Sequence, residues 1–158
     1  MKISRRHGRL RLRLEPVEVD LLGSLFDQLE AVLDGTDGGR EGDDVRRRLV
    51  PDAYPDDPAA EAEYRTLTET TLGQERDERI AACRAELTAG GEVDLTEPDV
   101  GRRWIQVLND LRLAIGTRLG VTEEDDRDFD PFDPDAQLRA VYHWLTAVQD
   151  AVVVELMR

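Results

Sequence analysis

The sequence predicts a mostly α protein: an irregular four- to five-helix bundle with a small N-terminal β-hairpin. Three observations carry that fold class. Apolar residues recur at three- and four-residue steps in several long segments, strict alternation is concentrated near the N-terminus, and proline or glycine marks the joints between segments. The 158 residues read as a single domain, 1–158, long enough to bury roughly 70% of the unfolded chain's surface around one core.

Residues 1–14 predict the hairpin. Arg9 to Leu14 alternates arginine and leucine, which puts Leu10, Leu12 and Leu14 on one face of an extended segment and Arg9, Arg11 and Arg13 on the other. Lys2 to Arg6 precedes it across His7-Gly8, a turn in which glycine supplies positive φ. A hairpin alone is marginal in water, so its leucine face is expected to lie on helices. Glu92 to Leu95 also alternates and offers a third short strand.

Pro16 opens a helix over 16–34 with the stripe Leu22, Leu25, Phe26, Leu29, Val32 and Leu33. Residues 35–44 (GTDGGREGDD) have almost nothing to bury and are expected as an acidic, mobile loop, followed by a short turn at Val45 to Leu49. Leu49, Val50 and Tyr54 are expected to anchor the proline-punctuated connector 49–58. Asp57 and Pro58 then cap and open a second helix over 58–88, with Tyr64, Leu67, Thr71 and Leu72 as its first stripe and Ile80, Cys83 and Leu87 as its second. A polar stretch from Gln74 to Arg79 separates the two, so one kinked helix or two are both compatible, and Gly90-Gly91 ends the run.

The third helix, 97–119, has the strictest stripe: Val100, Trp104, Val107, Leu108, Leu111, Ala114, Ile115 and Leu119. Thr96 and Asp99 resemble a capping box, and Gly120 is the C-terminal stop. A second acidic loop, 121–133, carries Phe129 and Phe132 as expected surface pins. Asp133 and Pro134 then start the last helix, 134–157, striped by Leu138, Val141, Tyr142, Leu145, Val148, Val152 and Leu156.

The formal charge of −14 is unevenly spread. Residues 1–14 hold six basic residues and no acid, and the remainder carries 15 basic against 35 acidic residues. A body at −20 repels polyanions and acidic lipid, so only the basic hairpin can approach nucleic acid. No run reaches the roughly 18 apolar residues of a spanning helix and the basic N-terminus lacks an apolar core, so the expected location is the cytoplasm, away from membrane.

Candidate chemistry is sparse. Asp126, Asp128 and Asp130 fall at the first three ligand positions of an EF-hand template, but Pro131 stands where that loop needs glycine and Gln137 where it needs a bidentate glutamate. His7 and His143 belong to no metal or nucleophile motif, and no phosphate loop or dinucleotide fingerprint is present. The expectation is no catalytic residue, no metal site and no cofactor. Cys83, the only cysteine, sits on the buried side of its helix and reads as a small core side chain; a redox role would need a mixed or intermolecular disulfide, or a sulfenic acid. Asn109 and Arg112 are expected in a structural polar network with the connector or the hairpin, with Asp110 and Arg118 solvated and Gly116 admitting a close helix. Arg9, Arg11 and Arg13 are the candidate partner-binding residues. Their alternation suits a charged strand face that resists edge pairing, and equally a ribbon laid in a nucleic-acid groove.

Taken together, RLRLEPVEVDLLGSLFDQL, LVPDAYPDD, AEYRTLTE, LNDLRLAIGTRLGVTEEDD and AVYHWLTAVQDAVV resemble the AosR-like actinomycete oxidative stress regulator family, in order and spacing, over nearly the whole chain. LNDLRLAIGTRLGVTEEDD is the most specific segment. The resemblance implies a small cytosolic protein encoded near the ClpS protease adaptor and a cysteine-biosynthesis operon, acting in redox-responsive transcription through protein partners; it carries over no catalytic residue. A switch built on an internal disulfide needs two cysteines, and this chain has only Cys83. The expected function is a non-enzymatic regulator or adaptor whose partner is a protein such as a sigma factor or other transcription machinery. The alternatives are a metal- or ligand-binding enzyme using the acidic loop with His143, and a dimeric DNA-binding regulator using the basic hairpin.

Overall fold

The computed structural model describes residues 1–36, 39–88, 90–121 and 133–158. It is mostly helical, with a small N-terminal antiparallel sheet. The order is β1 (Lys2–Arg6), β2 (Arg9–Arg13), α1 (Pro16–Leu33), α2 (Arg40–Leu49), α3 (Pro58–Thr88), β3 (Glu92–Asp94), α4 (Pro98–Leu119) and α5 (Ala136–Leu156). The sheet order is β1-β2-β3, antiparallel throughout, with Lys2 opposite Arg13, Ile3 opposite Leu12, Ser4 opposite Arg11 and Arg6 opposite Arg9.

His7 and Gly8 take φ of 49° and 79°. Positive φ at both central positions is the two-residue hairpin turn whose twist matches that of the flanking strands. Leu10, Leu12 and Leu14 are buried as the alternation requires, and Val93 of β3, paired with Leu12, extends that apolar face. The sheet closes on Gly91, whose carbonyl accepts from the Leu14 amide at 2.8 Å. Its φ of 76° and the nearness of the Leu14 carbonyl, 2.8 Å from where a Cβ would stand, leave room only for glycine.

The core joins that leucine face to the stripes of α1, α4 and α5: Leu22, Phe26, Trp104, Leu108, Leu111, Leu145 and Val148 are all fully enclosed. Pro16 starts α1 as expected, and the Glu15 amide donates to the Glu18 carboxylate at 2.8 Å. Asp57 caps α3, its Oδ1 accepting from the Ala59 and Ala60 amides, each at 3.1 Å. Gly120 ends α4 at φ 62°, and Gly116 lets Tyr142 of α5 approach to 3.3 Å from where a Cβ would stand.

Several expectations need correction. The loop expected over 35–44 gives way to helix at Arg40, because Gly42, Val45 and Leu49 of α2 follow one another at three- and four-residue steps along one face and all three are buried. Of the connector anchors only Leu49 is buried; Tyr54 is half exposed and packs edge-on against Tyr64, ring centroids 5.9 Å apart. The segment 58–88 is one continuous helix, but its first stripe is not core: Leu67 is 73% exposed and Leu72 49%, and the residues of α3 that enter the core begin at Ile80. Thr96 does not cap α4. Its hydroxyl accepts from the Leu10 amide at 3.1 Å, taken up by the sheet, and Glu97 holds the cap position. Asp133 does lie ahead of α5, accepting from the Asp135 amide at 2.9 Å. The expected pins Phe129 and Phe132 and the aspartates Asp126, Asp128 and Asp130 lie outside the described residues.

Candidate functional site: a basic sheet face

Cross-strand partners in an antiparallel pair share a face. The register therefore gathers Lys2, Ser4 and Arg6 of β1 with Arg9, Arg11 and Arg13 of β2 on the side of the sheet opposite the leucines. These six line a shallow concavity of about 540 Å³ with His7 and Glu92. Sequence reasoning found the arginine row; it missed Lys2 and Arg6, whose place depends on the pairing register.

The face holds like charges at close quarters. Lys2 stands directly opposite Arg13, and Arg6 directly opposite Arg9. Same-sign residues so placed destabilise a ladder, so the hairpin folds against its own surface charge. Relief comes from β3. Glu92 accepts from Arg11 Nη1 at 2.6 Å and from Arg13 Nη2 at 2.7 Å, one carboxylate bridging two guanidiniums. The hydrogen bond from Arg13, with the charges of Arg11 and Arg13, holds the Glu92 carboxyl below its ordinary range. Asp94 of β3, opposite Arg11 on the same face, adds a second negative charge, whose carboxyl is held down by its hydrogen bonds with Thr96 and, with them, by the charges of Arg11 and Arg9. Among the described residues no ion pair engages Lys2, Arg6 or Arg9. Arg5 points the other way, its Nη2 donating to the Glu155 carbonyl at 2.5 Å near the end of α5.

The other expected polar residues are structural in their surroundings. Arg112 donates to Thr146 Oγ1 at 3.0 Å and Gln149 Oε1 at 2.5 Å, and its guanidinium lies 5.6 Å from the Tyr142 ring centre. Its partners are on α5 and not on the connector or hairpin; Asn109 is half-buried. Asp110 is not solvated but pairs with Arg76 of α3 at 3.2 Å, and burial pushes its carboxyl up while Arg76 opposes the shift. Arg118 likewise is half-buried and reaches Gln28 Oε1 at 3.3 Å.

Cys83 is wholly enclosed. Burial, aided by the charge of Glu86, pushes its thiol up to about 12 against the opposing pull of Arg103 and Arg79. A thiol in that state holds almost no thiolate at neutral pH, and thiolate is the form that oxidants attack. His143 is exposed and stacks edge-on with Tyr142 at 5.7 Å. Among the described residues, no three His, Cys, Asp or Glu side chains gather to hold a metal ion.

A larger cleft of about 870 Å³ opens between α2, the connector and α3. Two of its arginines are paired. Arg65 pairs with Glu61 at 2.7 Å and with Asp52, and Arg76 binds both Asp110 and the Leu49 carbonyl, at 3.2 Å each. The Arg65 bridge ties the connector to α3.

The chain matches the family model described as a domain of unknown function, DUF2017, over residues 1–156. It is 32% identical over 191 aligned residues to the oxidative stress regulator AosR of Mycobacterium bovis and to that of Mycobacterium tuberculosis, with 99% of this chain and 86% of each relative covered. No solved structure matches. No helix among the described residues is long and apolar enough to cross a membrane.

Proposed function

The chain belongs to the DUF2017 family, and on that premise we propose that it is a non-enzymatic regulator of the oxidative stress response that acts on transcription by binding a protein partner through its basic sheet face. Likeness to relatives named as oxidative stress regulators, extending over almost the whole chain, supports the regulatory half of this reading. The surface half rests on one observation: Lys2, Arg6, Arg9, Arg11 and Arg13 share a face on which two cross-strand pairs are like-charged. A sheet that tolerates such repulsion gains stability when an acidic surface covers it. A sigma factor or another component of the transcription machinery is the partner this reading calls for, in the cytoplasm.

The test exchanges the chromosomal gene for one encoding Arg6→Glu with Arg9→Glu. Reversing both keeps the cross-strand repulsion between positions 6 and 9, and the level of folded protein controls for the attraction to Asp94 that Arg9 gives up. The expected result is a normal level of folded protein with a lost or blunted transcript response to peroxide. An unchanged response removes the sheet face from the mechanism.

A further inference from the structure

We infer that the concave basic face is a seat for an extended acidic segment of a partner protein, one that presents a carboxylate at every second residue. This deepens the reading above and rests on it.

Spacing argues for an extended strand. Arg9, Arg11 and Arg13 follow one another at two-residue steps, about 6.8 Å apart in a strand, and Lys2 and Arg6 stand opposite the two ends of that row. An extended acidic segment repeats its side chains at the same period, so three successive carboxylates meet three cations without either backbone bending. A helix would present its acids at three- and four-residue steps and match only part of the row.

Charge argues for a protein segment over nucleic acid. Beyond the first fourteen residues the chain carries 15 basic against 35 acidic residues. Duplex DNA carries a charge about every 1.7 Å, so a length that reaches past the hairpin meets the acidic body's repulsion. A short acidic segment confined to the concavity collects the local attraction and presents few charges to that field.

Glu92 gives the seat its particular character. Its carboxylate already occupies Arg11 and Arg13 from the same side of the sheet, as an incoming acid would. It therefore orients the two guanidiniums and competes with the ligand for them, while Arg6 and Arg9 make first contact. Removing its charge frees two arginines and deepens the positive potential. This separates docking from scaffolding: a face that served only to hold the hairpin together would lose by the same change.

The full chain is titrated by fluorescence anisotropy with a labelled nine-residue peptide in which aspartate alternates with valine. The comparison probes are the same peptide with asparagine for aspartate, and a single-stranded oligonucleotide of equal charge. Expected are saturable binding of the aspartate peptide, weaker binding of the oligonucleotide, none of the asparagine peptide, and loss of affinity with added salt. Arg6→Glu with Arg9→Glu weakens the peptide about tenfold or more, and Glu92→Gln strengthens it several-fold. No binding of the aspartate peptide, tighter binding of the oligonucleotide, or weakening by Glu92→Gln overturns the proposal. The two readings fail separately. If the peptide does not bind but the Arg6/Arg9 variant loses the peroxide response in cells, the acidic-strand seat falls and the regulatory role stands; if the peptide binds and the response is unchanged, the reverse holds.

Discussion

Asp110 on α4 and Arg76 on α3 form an ion pair at 3.2 Å in which neither side chain is more than 18% exposed, and the same guanidinium donates to the Leu49 carbonyl at the end of α2. One arginine thus ties three helices. Removing only its partner strands a mostly buried cation, whereas removing both charges removes the desolvation cost as well. Asp110→Ala is expected to destabilise by about 3 kcal/mol and Asp110→Leu with Arg76→Met by less than about 1 kcal/mol, read as urea midpoints. Equal losses in the two would show that the pair contributes only packing.

Gly91 is where β2, β3 and the end of α3 converge. A methyl group there meets the Leu14 carbonyl oxygen at 2.8 Å and Val19 Cγ2 at 2.9 Å, with φ at 76°. Backbone cannot yield as a side-chain tip does. Gly91→Ala is expected to cost about 2–4 kcal/mol from strain and clash together, while Gly73→Ala, with open space around it, is expected to be neutral or stabilising. A Gly91 variant with an unshifted thermal midpoint contradicts this.

Cys83 should behave as a core atom. Its thiol, pushed up to about 12 and sealed from solvent, is expected to resist a thiol reagent at neutral pH until urea unfolds the chain. Cys83→Ala is expected to cost about 1–2 kcal/mol, and Cys83→Ser more, through a buried hydroxyl. Labelling of the native protein within seconds would identify an opening motion that brings the thiol to solvent.

Glu92 sets a pH dependence whose sign follows from its lowered folded value. The unfolded carboxyl binds its proton first as pH falls, so the stabilisation is fully present above the unfolded value, about 4.3, and is lost as pH drops through the folded one. Denaturation midpoints of the wild type and Glu92→Gln should converge between neutral and strongly acidic pH. Curves that stay parallel would mean that the bridge to Arg11 and Arg13 adds nothing to folding.

Much of the architecture is written locally. Alternation in RLRLRL, proline at 16, 58 and 98, glycine at 120 and the stripe of α4 each specify an element through a few neighbouring residues, and those elements are the ones observed. Of the basic face, the arginine row was legible for the same reason. Lys2, Arg6 and Glu92 were not, since their places depend on which residues pair across strands.

Sequence alone decided the helical class, the hairpin and its turn, and the division between a basic N-terminal segment and an acidic body. Periodicity and turn chemistry act over a few residues, and those features need nothing more. Tertiary structure decided that Leu67 lies in solvent, that the Thr96 hydroxyl serves β2, that Asp110 finds Arg76 and Arg112 finds Gln149, and that Glu92 bridges two arginines. An amphipathic stripe says which side of a helix prefers burial, but only the neighbour that arrives, or fails to arrive, determines whether that side is covered and which charge meets which.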